Sequence, residues 1–168
     1  MTNRIAALAL AALLLLACIA GCATPKAKNV EGTLEELIQK IYDNLGDAES
    51  LPRGVANLPL SEDMGINPDG RKIDYYIGST GIPFSEGVAS ESLISAVAYS
   101  LVLLRMQDNA DIEAAKKTIK DTVDPAKWIC VAVDPSNVIV DSIGNLVFLV
   151  MSDNAAQIHE SFLKLAEA

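Results

Sequence analysis

The residue with the clearest chemistry in this sequence is Cys22, which directly follows the small residues Ala20 and Gly21. Further upstream, a single cation, Arg4, precedes an unbroken apolar run over residues 5–20. A charged end, a short apolar helix and small residues at a cleavage site are the parts of a secretory signal peptide. A cysteine at this place predicts bacterial lipoprotein processing. The Cys22 thiol would receive diacylglycerol, and cleavage before Cys22 would make it the new N-terminus.

Two alternatives compete with this interpretation. The 16 apolar residues approach the roughly 20 that span a bilayer, so the segment could be an uncleaved anchor helix. An anchor does not need a small pair before a cysteine, and the run lacks interfacial aromatic residues. Cys18 offers a second processing site, but the bulky Leu16 stands where a small residue is preferred.

Cys130 is the one cysteine that this processing leaves unmodified, because Cys18 departs with the signal and Cys22 carries the lipid. The apolar run over 128–133 predicts a strand around it. We therefore expect Cys130 to be a small buried hydrophobe and not a reactive thiol.

The mature chain is strongly acidic. Loss of residues 1–21 removes only Arg4 among the charged residues, which leaves 12 Lys+Arg against 22 Asp+Glu and a formal charge of −10. Nucleic-acid binding depends on clustered Lys and Arg, so this surface argues against a nucleic-acid partner. It also argues against a domain that lies flat on anionic lipid.

The chain divides into three predicted parts: a signal peptide (1–21), a lipidated tether (22–32) and one α+β domain (33–168). The tether is small, polar and unpatterned, and as a flexible coil it would reach roughly 18 Å. A domain of this size can hold a core without a metal or a disulfide. Its most regular part is about 90–166.

Periodicity and capping residues predict most elements of that domain. Helices are predicted over 33–46, where Thr33 and Glu36 have the spacing of a capping box, after Asp111, and after Ser152 or Asp153. Strands are predicted over 95–106, 128–133, 137–141 and 146–151. In the less regular middle, the sequence favours a short helix at 58–64 and a loop at 78–87. Residues 72–77 could form a strand or a short helix, and the strand is favoured because tyrosine and isoleucine suit a sheet.

This order of elements predicts an α+β fold with a mainly antiparallel sheet and helices packed on one face. In the strand over 128–133, the alternation places Ile129, Val131 and Val133 towards the helices, because they form the more uniformly apolar set.

Other candidate residues have weak support. His159 is the sole histidine, and Ser85 follows Phe84 in a turn that lacks the glycine of a nucleophile elbow. The acidic pairs 35–36 and 62–63 and the Asp69-Gly70 turn do not have the spacing of a calcium loop. Aromatic residues could line a ligand site, although core packing is the favoured interpretation for them: Tyr75, Tyr76, Tyr99 and Trp128. The sequence predicts no catalytic, cofactor or metal residue.

Three segments, 96–105, 111–119 and 146–152, resemble in their order small lipoproteins of clostridia and their relatives that carry a C-terminal domain of unknown function. The similarity covers roughly residues 90–166 and the lipid signal. It implies a Gram-positive setting and no catalytic residue.

The sequence thus favours a lipid-anchored extracytoplasmic binding or interaction protein, held at the membrane through Cys22, with an unidentified protein or small-molecule partner. The alternative is a small cell-surface enzyme such as a hydrolase. The expected location is the outer face of the cytoplasmic membrane, or the outer membrane if the source is Gram-negative.

Overall fold

The structure, a computed structural model, describes residues 29–46, 51–61, 67–94 and 96–167. The predicted signal peptide, Cys22 and most of the tether lie outside these residues. Within the described ranges, no helix has the length and apolar character needed to cross a membrane.

The described chain forms one five-stranded antiparallel sheet in the order β1-β2-β3-β5-β4. The strands are β1 (Val55–Leu60), β2 (Phe84–Ser92), β3 (Ser100–Met106), β4 (Val138–Ile143) and β5 (Leu146–Met151). The helices are α1 (Leu34–Leu45), α2 (Ile73–Ile77), α3 (Ile112–Thr122) and α4 (Ala155–Leu163), with 3-10 turns at Pro135–Asn137 and Lys164–Glu167. The α+β class and the antiparallel sheet are as the sequence predicts.

Helix α1 begins as its capping box predicts. The Thr33 hydroxyl accepts a hydrogen bond from the Glu36 amide (3.2 Å), and the Thr33 amide donates to Glu36 Oε2 (3.0 Å). These bonds satisfy two amides that a helix N-terminus otherwise leaves free. The apolar stripe of the helix is buried through Leu34, Leu37, Ile38 and Ile41.

Helices cover both faces of the sheet, so the prediction of helices on one face is wrong. On one face α1 and α4 pack over Leu101, Leu103, Phe148 and Val150. On the other, α2 and α3 pack over Val102, Leu104, Val147 and Leu149. Because β3 and β5 are apolar at both alternations, a single helical layer would have left half of their side chains in water.

The segment predicted as a strand at 72–77 is the helix α2. Its buried residues Ile73, Tyr76 and Ile77 have helical spacing, which outweighs the β-propensity of tyrosine and isoleucine. Gly78 ends the helix with φ +76°, and a Cβ there would lie 2.3 Å from the backbone carbon of Thr122. The close approach of α2 to the end of α3 therefore requires glycine.

The predicted strand over 128–133 is an irregular loop. The Val133 amide donates to the Pro125 carbonyl (2.9 Å) and closes this loop upon itself. Ile129 is 77% exposed, whereas Val133 is buried. Cys130 has φ +67° and is exposed, so the expectation that it is a buried hydrophobe is also wrong. Its neighbours join no strand of the described sheet.

Two further predictions for the middle of the chain fail. Residues 58–60, predicted as helical, belong to strand β1, and residues 62–66 lie outside the described ranges. Residues 84–87, predicted as loop, begin strand β2. Both strands pair with distant segments, which local sequence does not reveal.

The edge strands of the sheet are β1 and β4. The Leu93 amide donates to the Gly54 carbonyl (3.2 Å), so Gly54 is a hydrogen-bonded position in the pairing of this segment with β2. Because hydrogen-bonded positions alternate along an antiparallel pair, the backbone of Pro59 in β1 points away from β2, where proline offers no donor. On edge strand β4, Asp141 bonds to His159 of α4 (2.7 Å) and Lys116 of α3 (3.4 Å). This bridge joins the two helical layers around the edge.

Substituting Gly78 by alanine should cost about 3 kcal/mol or more of unfolding free energy, because the new methyl group combines a left-handed φ with a backbone clash. Gly46 has the same φ of +76° but open space around it, so Gly46→Ala should cost only about 1 kcal/mol. Gly81→Ala, with neither constraint, is the control. Urea denaturation measures all three, and equal losses for Gly78 and Gly46 would show that the helix contact is unimportant.

The Asp141 bridge should weaken in acid. Although partial burial favours the neutral acid, the bonds from His159 and from the Ser142 amide, with the Lys116 ammonium, hold the pKa of Asp141 below its ordinary value. Its stabilisation is therefore present above the unfolded pKa of about 3.9 and is lost as pH falls through the folded value. Asp141→Asn should be less stable than the parent at neutral pH and approach it in acid. Thermal melts across this range test it, with exposed Asp121→Asn as control; a gap that persists in acid contradicts the bridge.

Candidate functional site

A cleft of about 530 Å³ opens on the sheet face covered by α2 and α3, beside edge strand β1. It combines aromatic, aliphatic and charged side chains. Its lining residues come from four segments of the chain: Ala56, Leu58, Asp69, Arg71, Tyr75, Glu91, Ser92, Leu93, Lys127, Trp128 and Ile129. The volume lies within the roughly 300–1,000 Å³ that small-molecule sites occupy.

The floor of the cleft is a buried ion pair. The side chain of Lys127 is 2% exposed and that of Glu91 is 11% exposed, and Lys127 Nζ lies 2.9 Å from Glu91 Oε1. The Ser100 hydroxyl donates to the same oxygen (2.5 Å) and accepts from Lys127 Nζ (3.1 Å). Glu91 and Ser100 are paired across β2 and β3, so the sheet itself holds the acceptor in place.

Three aromatic rings surround the Lys127 ammonium. Its nitrogen lies 4.6 Å from the ring centre of Tyr75, 5.4 Å from Tyr76 and 5.1 Å from Trp128. Burial lowers the pKa of Lys127 from its ordinary value, and the Glu91 carboxylate opposes that shift. The rings offer their negative faces to a cation that has lost most of its water. The chain thus fills this aromatic cage with its own lysine.

A second ion pair forms one wall of the cleft. Arg71 Nη1 donates to Asp69 Oδ2 (2.5 Å), and the Arg71 guanidinium lies 4.4 Å from the Tyr75 ring centre. Burial favours the neutral form of Asp69, but the neighbouring Tyr76 hydroxyl and the bonds from the Arg71 amide and guanidinium lower its pKa. The side chain of Arg71 is 49% exposed, so part of its guanidinium remains available to a ligand.

Two turns place the charged residues Asp69, Arg71 and Lys127 at the cleft. Asp69 lies in the turn before α2, where Gly70 donates to the Asn67 carbonyl (2.8 Å). After α3, Asp124 Oδ1 accepts from the Ala126 amide (2.8 Å) and starts the loop that carries Lys127. These loops meet over the β2 end because α2 and α3 pack against one another at Gly78.

The structure separates the aromatic residues singled out by sequence. Tyr75, Tyr76 and Trp128 meet at the cleft, whereas Tyr99 lies on the opposite face, where its hydroxyl contacts that of Tyr42 (2.9 Å). Tyr42 in turn donates to Ser90 (2.7 Å). Burial raises the pKa of both Tyr42 and Tyr99. Core packing is thus the role of Tyr99 and Tyr76, and the cleft wall is the role of Tyr75 and Trp128.

Of the other residues considered from sequence, Asp69 lines the cleft, whereas His159, Ser85 and the Glu35-Glu36 pair lie away from it. His159 belongs to the Asp141 bridge, and the Ser85 hydroxyl donates to the Arg105 carbonyl (3.1 Å) on the surface. Glu36 caps α1, Glu35 lies beside it in the first turn, and both are exposed. Among the described residues, histidine, cysteine, aspartate and glutamate side chains form no group of three suited to a metal ion.

The Ser100–Lys127 pair bears on the hydrolase alternative. A serine hydroxyl next to a lysine amine of lowered pKa is a known nucleophile and base combination. Here Ser100 is completely buried and its proton is directed at Glu91. A substrate carbonyl approaching from the cleft would meet Lys127 and Glu91 before it met the Ser100 oxygen, so the arrangement is better suited to holding the floor together.

A larger, shallower groove of about 850 Å³ lies at the other end of the sheet, between the start of α1 and strands β1 and β2. Several of its carboxylates, including Glu31 and Glu35, are exposed to solvent. Its arginine, Arg105, already donates to Glu86, Val30 and Gly32. We therefore take the cleft, with its desolvated charges, as the candidate site.

Sequence analysis did not find Glu91, Lys127, Arg71 or Asp69 as site residues. Lys127 and Glu91 are 36 positions apart, and neither belongs to a motif of fixed spacing. The available signal was weak: Glu91 is a charged residue within a strand of small and apolar residues, and Lys127 directly precedes the chain's sole tryptophan.

Comparisons of this chain with protein families, curated proteins and solved structures found no match.

Removing one member of the ion pair at the floor of the cleft should lower the free energy of unfolding far more than removing both members. Lys127→Met leaves the Glu91 carboxylate buried without its cation and should cost about 3–5 kcal/mol. Adding Glu91→Gln removes that charge and keeps an acceptor for Ser100, so the double variant should regain most of the loss. Lys117→Met, which breaks an exposed pair with Asp121, should cost less than about 1 kcal/mol. Equal stability of the single and double Lys127 variants in urea melts would contradict the pairing.

Proposed function

We propose that this chain is a lipid-anchored extracytoplasmic binding lipoprotein that holds a small ligand in the cleft over Lys127 and Glu91. Diacylglyceryl-modified Cys22 would be the anchor. The location would be the outer face of the bacterial cytoplasmic membrane, or the outer membrane in a Gram-negative source. The similarity to clostridial lipoproteins of unknown function is part of this proposal and favours the first location.

The way in which the tether joins the domain supports this arrangement. Arg105 at the end of β3 donates to the carbonyls of Val30 (3.1 Å) and Gly32 (2.7 Å). The Asn145 amide, in the β4–β5 turn, donates to the Asn29 side chain (3.1 Å). These bonds attach the last tether residues to one end of the sheet, so a lipid on Cys22 would bring that end towards the membrane.

The observation that carries the proposal is the position of the cleft relative to this attachment. Arg105 is paired with Glu86 near the start of β2, whereas Glu91 lies five residues further on, or roughly 17 Å along the strand. By the alternation of side chains, Arg105 and Glu91 also lie on opposite faces of the sheet. A membrane at the tether end would therefore leave the cleft open to the extracytoplasmic solution.

Charge favours a domain that stands away from the membrane surface. The mature chain has a formal charge of −10, and an anionic lipid surface repels such a domain. The tether would thus be the sole attachment, and the domain would stand clear of the headgroups.

Full-length protein expressed in a Gram-positive host should carry diacylglycerol on Cys22, and Cys22→Ala should abolish lipid labelling and leave an unprocessed, longer chain. Cys18→Ala is the matched control, because Cys18 would leave with the signal peptide, and Cys130→Ser is the control for the exposed thiol. Mass spectrometry of the N-terminal peptide gives the result. An unmodified Cys22, or an N-terminus at another residue, would refute the anchor.

A further inference from the structure

We infer that the ligand of the cleft is a neutral saccharide, bound through its hydroxyl groups by Glu91 and Arg71 and packed against Trp128. This inference deepens the proposed function and rests on it. It follows from the charge balance of the cleft, from the polar atoms left open within it, and from the apolar surface at its mouth.

The charge balance favours a ligand without net charge. The cleft is lined by two cations, Arg71 and Lys127, and two anions, Asp69 and Glu91, and they are already paired. A ligand with a net charge would have to be desolvated beside a like charge without a free counter-ion. Quaternary ammonium ligands are excluded more directly, because Lys127 itself occupies the aromatic cage that would bind them.

The open polar atoms include both an acceptor and donors. Both bonds to Glu91 end on Oε1, so Oε2 takes no hydrogen bond from any residue that the structure describes. Of the Arg71 side chain, only Nη1 bonds within those same ranges, to Asp69, and Nε and Nη2 remain as donors. A hydroxyl group can donate to Glu91 and accept from Arg71. Neighbouring hydroxyls on one ring can therefore satisfy both side chains without bringing charge into the cleft.

The mouth of the cleft is apolar. Leu93 is 70% exposed and Ile129 is 77% exposed, which is unusual for large aliphatic side chains. The half-buried indole of Trp128 lies beside them. An aromatic ring with a polar tip suits the C–H face of a sugar, which is apolar although its edge is polar. These three residues would cover one face of the ring while its hydroxyls reach the floor.

An extended peptide is a less suitable occupant. It would add to the free edge of β1 next to the cleft, and Pro59 removes one of the outward donors that such pairing needs. A volume of about 530 Å³ is suited to one or two sugar rings and not to a long chain.

The test uses Trp128 as its own reporter, since the chain has one tryptophan. Full-length protein is kept in a detergent without a sugar headgroup, and its fluorescence is titrated with chitobiose, cellobiose and mannobiose. At least one of them should give a saturable change. Arg71→Met should raise the Kd about tenfold or more, because charge-assisted hydrogen bonds to the sugar are lost. Arg53→Met, an exposed arginine outside the cleft lining, should leave the Kd unchanged.

Melting temperatures of both variants show whether folding is retained, and Ile129→Ser gives a second test on an exposed residue that should weaken binding without unfolding the domain. The inference is overturned if none of the three disaccharides binds, or if Arg71→Met and Ile129→Ser bind them as the parent does. It is also overturned if alanyl-alanine or phosphocholine, titrated in the same way, saturates the cleft instead; in that case the proposed binding function stands. If the protein binds a saccharide but carries no lipid on Cys22, the saccharide inference stands and only the proposed lipid anchor is refuted.

Discussion

Strands β3 and β5 are buried on both faces, and the other elements are placed by the need to cover them. Leu101 to Leu104 and Leu146 to Met151 are almost completely removed from water. Burial of each such side chain stabilises the folded state by roughly 1.5–3 kcal/mol. This pair of strands therefore supplies a large part of the hydrophobic stabilisation of the fold. Each face then needs its own helices: α1 and α4 on one side, α2 and α3 on the other.

The candidate site is a consequence of that two-sided covering. Helix α2 is only five residues long, and the cleft opens between it and edge strand β1. The turn before α2 supplies Arg71, the loop after α3 supplies Lys127 and Trp128, and α2 itself supplies Tyr75. Charged side chains in this position must be paired when they lose water, and Glu91 on the sheet supplies the counter-charge to Lys127. The cleft is the space that these loops leave open.

The two ends of the sheet differ in chemistry. At the tether end, Arg105 uses its guanidinium to hold backbone carbonyls and a surface carboxylate, so its donors are occupied by the chain itself. At the cleft end, Glu91 Oε2 and part of Arg71 stay open towards solvent. Polar groups that the fold does not satisfy are the ones that a ligand can satisfy. The cleft is therefore distinguished as the binding site by its unsatisfied polar groups and not by its volume, which is smaller than that of the groove at the tether end.

The sequence alone predicts the elements whose information is local. The capping box at Thr33 and Glu36, the stripe of α1, the Asp111 cap of α3 and the β4–β5 pair all appear where the periodicity places them. The α+β class follows from their order. The Cys22 lipidation site is also local, and it stays a prediction because it lies outside the described residues.

Only the tertiary structure decides the rest, because the interactions involved join distant segments. Tyr75 and Tyr76 favour a strand by propensity but become helical, since Ile73, Tyr76 and Ile77 can then pack under α3. The apolar run at 128–133 alternates like a strand, yet it forms a loop because Lys127 is held by Glu91, 36 residues earlier. Neither partner belongs to a motif of fixed spacing, and the sequence marks both only weakly. An ion pair across two elements, and the cleft above it, exist only once the sheet has brought both charges together.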